Sequence, residues 1–193
     1  VTIFFIFFSF DTDFIYSFLS LVSSISNIGV SLDGSYKNIS FLFILLTIIG
    51  GSFFSTNSGI RFIKIYSLFK FSLNELASNA KPLNIYINKL NFSNSIFTIN
   101  DVNKFFISIL IFILSLIFLS FLLTISGIDM ESSFKISILT LTNTVNSEMY
   151  SISQFNFDEL HFFTKYYLIF FMIIGRVELI TLLIIIKKYL FKN

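Results

Sequence analysis

Cysteine and tryptophan are absent from this 193-residue chain, proline and histidine occur once each, and charged residues make up only 12% of it. Without cysteine there is no disulfide framework, no thiolate zinc site and no thiol nucleophile. The single histidine, His161, leaves no imidazole set for a metal centre or a Ser-His-Asp triad; beside Phe162 and Phe163 it reads as an interfacial residue. One proline and seven glycines exclude collagen-like or proline-rich disorder. Soluble domains carry about 25% charged residues, and half that level does not cover a water-facing surface. The formal net charge of +2 is too small for a nucleic-acid footprint. No nucleotide loop, metal cluster or acid–base set stands out, so an enzyme is the weakest reading. What is present is 55% hydrophobic residues, with 29 phenylalanines. The composition predicts an all-α polytopic membrane protein.

Membrane segments follow from the uncharged runs. Phe105–Leu123 carries no charge, and a helix needs about 20 apolar residues to cross the hydrocarbon core. Its serines, Ser108, Ser115 and Ser120, suit a helix packed on other helices. A second uncharged run, Asn38 to Ile60, begins as ISFLFILLTII and continues as GGSFFSTNSG. The second half is a poor helix, so the segment reads as a helix broken near mid-membrane, a feature tolerated only beside protein or a wet cavity. A third span, Tyr166 to Leu190, holds Arg176 and Glu178 near its middle. The opening VTIFFIFFSF is too short to span and lacks a basic flank, so it reads as the tail of a truncated helix rather than a signal peptide.

Charge placement predicts orientation. With 61–104 and the C-terminus cytoplasmic, that side holds nine bases, from Arg61 to Lys192, against Lys37, Lys135 and Lys165 outside. The outer face then carries eight acids, among them Asp11, Asp13, Asp33, Asp129, Glu131 and Glu148. Such a face would concentrate cations.

A weak internal repeat accompanies these spans. Asp13–Ser31 and Asp129–Ser147 align without gaps and share Asp13/Asp129, Ser17/Ser133, Phe18/Phe134, Asn27/Asn143 and Ser31/Ser147. Each unit reads as an acid, about a dozen residues of short helix, a Ser/Thr/Asn turn and a long apolar helix. A dozen residues cannot span a bilayer, so each short helix is expected to be re-entrant or interfacial. A polar turn at that depth can offer carbonyl oxygens in place of a potassium ion's water shell. Gly29 frees the backbone for such an arrangement, hydroxyls of Ser26 and Thr142 and amides of Asn27 and Asn143 can brace it, and the helix dipole points at it. The same tetrads, SNIG and TNTV, also fit an ordinary loop with an asparagine turn.

Three segments together resemble the TrkH/KtrB/HKT superfamily of potassium transporters, most closely the C-terminal half of its TrkH-type members of the Trk system. VSSISNIGVS at 22–31 is similar to a filter loop of that family; IGGSFFSTNSGIRFIK at 49–64 resembles its GGSxxSTxGGIK signature; IIGRVELITLLI at 173–184 is similar to its GRLE motif. The resemblance implies helix–pore-loop–helix units around a pseudo-fourfold axis. A third unit would occupy 1–72 (first helix truncated, pore helix and filter 13–31, broken second helix 38–72). A cytoplasmic connector would follow over 73–103; its asparagines and lysines suit a short amphipathic helix on the cytoplasmic surface. A fourth unit would occupy 104–193 (first helix 104–128, pore helix and filter 129–147, second helix 161–191).

It further implies filter strands at Ser26, Asn27, Ile28, Gly29 and Val30 and at Thr142, Asn143, Thr144, Val145 and Asn146. Potassium, as substrate and with no covalent cofactor, would sit at carbonyls near Asn27, Ile28, Asn143 and Thr144. Gly50, Gly51, Ser52, Ser55, Thr56 and Gly59 would form an intramembrane gating loop, Arg176 a barrier in the pore, and Glu178 a support for helix packing. The expected setting is the inner membrane, multi-pass, with lipid around it, a homodimer, a TrkA-type cytoplasmic nucleotide-binding subunit, and the missing N-terminal half of the pore supplied elsewhere. No nucleic acid is expected. Two departures bear on this. Val145 stands where the family's fourth loop has glycine, with Asn146–Ser147 in place of Pro-Gly, and NSGIR stands at 57–61 where GGIK is common. A β-branched residue resists positive φ, which weakens potassium-over-sodium selectivity or leaves the site inactive. The rival reading is a non-conducting membrane scaffold or sensor, including a degenerate half-transporter.

Overall fold

The structure, a computed structural model, describes residues 14–30, 40–49, 59–80, 99–146, 148–152 and 160–176. Among them are six α-helices, one 3-10 turn and no strand: α1 Phe14–Ile25, α2 Ser40–Ile48, α3 Phe62–Ala80, α4 Ile99–Ile125, α5 Met130–Thr142 and α6 Phe162–Arg176, with the turn at Glu148–Tyr150. The all-α expectation holds.

One described helix, over Asn100–Ile125, is long and apolar enough to cross a membrane. Phe112, Leu116, Leu119 and Leu123 recur at helical spacing and are buried, while Phe106, Leu114, Ile117, Phe118 and Phe121 are exposed. The apolar surface therefore continues all round α4, as a helix between protein and lipid requires. α4 starts five residues before the expected 104, because Asn100, Asp101 and Asn103 extend it in a polar first turn. The described part of the connector, 73–80, continues α3.

The short helix α5 is the centre of the molecule. Ser133 and every residue from Ile136 to Thr142 are buried, with α2, α4 and α6 packed around them. A helix this rich in hydroxyls can be buried because they bond to its own backbone. Ser137 donates to the Ser133 carbonyl at 2.7 Å, Thr140 to Ile136 at 2.7 Å and Thr142 to Ile138 at 2.8 Å. Its N-terminal half is pinned by Lys135, whose ammonium meets the Glu131 carboxylate at 2.6 Å and reaches the Ser151 carbonyl at 3.4 Å. That ammonium holds the exposed Glu131 carboxyl below its ordinary range.

α6 runs back along α5. Thr164, Leu168, Phe171 and Ile174 form its buried stripe. Thr164 donates to Ser126 at 3.0 Å, tying the start of α6 to the end of α4. At the other end of the bundle the Lys64 ammonium donates to Ser108 at 2.9 Å, joining α3 to α4. Most of the segment where the helix break is expected, 50–58, lies outside the described residues, but its two flanks are described. α2 stops at Ile48, α3 begins at Phe62, and the Ile60 N–H donates to the Ile48 carbonyl at 3.1 Å.

Candidate functional site: two facing turns

Both short helices end in the same way. At the end of α1 the Ile28 N–H bonds to the Ser23 carbonyl at 3.0 Å and the Asn27 N–H to Ser24 at 3.2 Å. At the end of α5 the Thr144 N–H bonds to Leu139 at 2.9 Å and the Asn143 N–H to Thr140 at 3.2 Å. Asn27 and Asn143 take left-handed φ values of 57° and 53°. These are two Schellman motifs with asparagine in the left-handed position. The repeat seen in the sequence is thus a repeat in the backbone, and the shared asparagines are its turning points.

The two turns then meet. The Val145 N–H donates to the Ile28 carbonyl at 3.1 Å. Gly29 sits at φ +80°, and a Cβ placed on it would strike the Val145 carbonyl oxygen and lie 2.5 Å from the Thr144 methyl. Glycine is required there twice, by its φ and by the close approach. Val145 is not among the positive-φ residues. The second turn therefore does not copy the backbone of the first at the aligned position, as a β-branched side chain dictates.

Around this contact Asn27, Thr142 and Thr144 are buried, while Ile28, Val30 and Val145 are more than half exposed. Several polar side chains bond to nearby backbone or to each other, while the buried side-chain oxygens of Asn27 and Asn146 accept no hydrogen bond among the described residues. Ser26 donates to the Val22 carbonyl at 2.8 Å, and the Asn143 side-chain amide donates to the Met172 carbonyl of α6 at 3.0 Å. Thr142 and Thr144 share a 2.7 Å hydroxyl contact. These groups brace the turns, and the hydroxyl protons of Ser26 and Thr142 are spent on their own helices. A cavity of about 330 Å³ opens between the second turn and α6, lined by Thr144, Val145, Asn146, Lys165, Leu168 and Met172 among others.

Two further residues from the sequence patterns reach this region. A Cβ on Gly59, at φ +103°, would lie 3.5 Å from the Thr142 methyl and 3.3 Å from the Ile48 carbonyl, so the far root of the broken helix abuts the end of α5. A Cβ on Gly175 would strike the Leu141 carbonyl oxygen and lie 2.9 Å from its carbon. The glycine of the GRVE segment is therefore what lets α6 seat against the backbone of α5. Arg176, the next residue, is exposed. Gly50, Gly51, Ser52, Ser55, Thr56 and Glu178 lie outside the described residues. The sequence reading missed Gly175 as a packing residue and Thr142–Thr144 as a pair. The glycine in an otherwise bulky apolar run was the available signal for the first.

The solved structure of the potassium transporter TrkH from Vibrio parahaemolyticus is similar over 89% of this chain, with a TM-score of 0.76 and 24% sequence identity. The chain has a TrkH-like fold. It covers 36% of the length of that TrkH chain. Neither a scan of protein-family models nor a search of curated proteins gives a match.

Proposed function

We propose that this chain forms half of a potassium-conducting pore, in which the turns 26–30 and 142–146 are two of four filter strands. The observation that carries the reading is the meeting of two like-built turns, each closing a short helix, at Ile28–Gly29 and Val145. The TrkH-like fold supports potassium as the ion and the inner membrane as the location, and the apolar surface supports a membrane setting. Carbonyl oxygens near Asn27, Ile28, Asn143 and Thr144 would replace the water shell of the ion. A carbonyl oxygen has two lone pairs, so Ile28, which accepts the Val145 N–H, keeps one for this purpose.

The remaining parts follow the same reading. The cavity beside the second turn is room for a further pore loop, as α2 and the first turn already receive α5 and its turn. The segment from Gly50 to Gly59 acts as the gate, because its far root lies against the base of the second turn. Arg176 follows Gly175, whose backbone packs on Leu141 near the end of α5, and this supports a place for it in the pore below the filter. A cation there opposes leak and speeds ion exit, and a central arginine, which costs about 2.5–3.5 kcal/mol to insert, needs a polar partner or a wet cavity such as an ion path. Glu178 supports the packing of that helix. The family resemblance extends the proposal to a homodimer with a TrkA-type cytoplasmic regulatory subunit, with the C-terminus inside.

The second reading is a non-conducting membrane scaffold. It is favoured by one observation, the hydrogen bond from Val145 to Ile28, which uses a filter carbonyl. Tracer rubidium uptake by potassium-starved, uptake-deficient cells expressing the whole native reading frame separates the two. Uptake above the empty-vector level is expected; its absence with the regulatory subunit present would reject transport.

A further inference from the structure

The second turn carries an internal brace that the filter reading does not use. Thr142 has one hydroxyl proton, and it goes to the Ile138 carbonyl at 2.8 Å. The 2.7 Å contact with Thr144 is then a bond donated by Thr144 to the Thr142 oxygen. Thr142 is 1% and Thr144 4% exposed, so water does not compete for this pair. The bond fixes the side-chain rotation of Thr144. That rotation decides where its methyl group goes, and the methyl lies over the Cα of Gly29, 2.5 Å from where a Cβ would be. The Thr144 methyl and the Val145 backbone are therefore the surfaces on which the first turn rests. The Thr142 methyl lies beside Gly59.

We infer that the Thr142–Thr144 hydroxyl pair sets the spacing between the two turns and is a positioning device for ion discrimination, with Thr142 acting through Thr144. The inference rests on the filter reading above and adds to it the group that holds two strands at a defined distance. A filter that tells potassium from sodium needs that distance held, since the two ions differ in the cavity and the ligand field they require. A threonine whose hydroxyl has lost its acceptor changes rotamer, and the stop against Gly29 moves with it.

The test is the ratio of rubidium to sodium uptake, with membrane abundance measured alongside, for the native reading frame carrying Thr142→Val, Thr142→Ser, Thr144→Val and the double Val variant. Thr142→Val and Thr144→Val each lower the ratio by about threefold to tenfold, the range set by losing one hydrogen bond. Thr142→Ser restores the hydroxyl and holds the wild-type ratio. The double variant is no worse than either single change, because both remove the same bond. An unchanged ratio in both Val variants would overturn the inference. So would an equal fall in Thr142→Ser, which would assign the effect to the methyl, or loss of folded protein in both Val variants, which would assign the pair to stability. Wild-type protein that takes up no rubidium would sink the transport reading first and this inference with it.

Discussion

Gly29 and Val145 occupy aligned positions in the two repeats, and they touch: a Cβ on Gly29 would strike the Val145 carbonyl oxygen. Residues far apart in the chain thus bring the backbones of the two turns into contact. Replacing Gly29 with alanine places a Cβ at φ +80°, where a left-handed backbone costs about 1–2 kcal/mol. Overpacking adds about 1–3 kcal/mol. The Gly29→Ala protein is expected to lose rubidium uptake while still reaching the membrane, checked by tracer uptake normalised to abundance. Uptake at the wild-type level would mean that the turns do not meet in the working protein.

Val145 is the converse case. Its backbone avoids the positive φ that Gly29 adopts, so the two strands present their carbonyls differently. Val145→Gly frees the second strand to match the first and is expected to raise the rubidium-to-sodium uptake ratio. An unchanged ratio would count against the alignment of the two turns.

Gly175 seats α6 on α5. Gly175→Ala drives a methyl into the Leu141 carbonyl and is expected to destabilise the folded protein by about 1–3 kcal/mol. The fall in the detergent-solubilised melting temperature is the readout. A variant as stable as wild type would show that α6 does not rest on the Leu141 carbonyl at Gly175.

Asn143 does two things, turning the chain in the left-handed region and donating to the Met172 carbonyl. Asn143→Gly keeps the turn and loses the bond, an expected cost of about 1 kcal/mol. Asn143→Val loses both and is expected to cost more. Equal melting temperatures for the two variants would deny the backbone role.

Much of this was legible in the sequence. Length and apolarity marked α4. The paired asparagines at 27 and 143 announced both turns, because a residue that tolerates left-handed φ after a short helix is a local signal. The glycines from Gly50 to Gly59 point to a helix break whose middle lies outside the described residues; the Ile60 N–H to Ile48 carbonyl bond joins its flanks. Other features depend on contacts between distant segments and leave no periodic trace. The Val145–Ile28 bond, the seating of Gly175 on Leu141 and the threonine pair belong to this class. The sequence offers Ser26 and Asn143 as braces for the turns but not their partners, which are the Val22 and Met172 carbonyls. In an apolar surrounding an unbonded hydroxyl or amide is costly, and a nearby carbonyl is its ready partner.

The central claim is that the turns at 26–30 and 142–146 share one space in which an alkali ion loses its water. Anomalous scattering from thallium, a potassium surrogate, in crystals of the protein grown with its pore complete measures this directly. The account predicts a peak within coordination distance of carbonyl oxygens from both turns, weakened by competing potassium. Ordered turns with no thallium between them, or thallium bound only elsewhere, would contradict it.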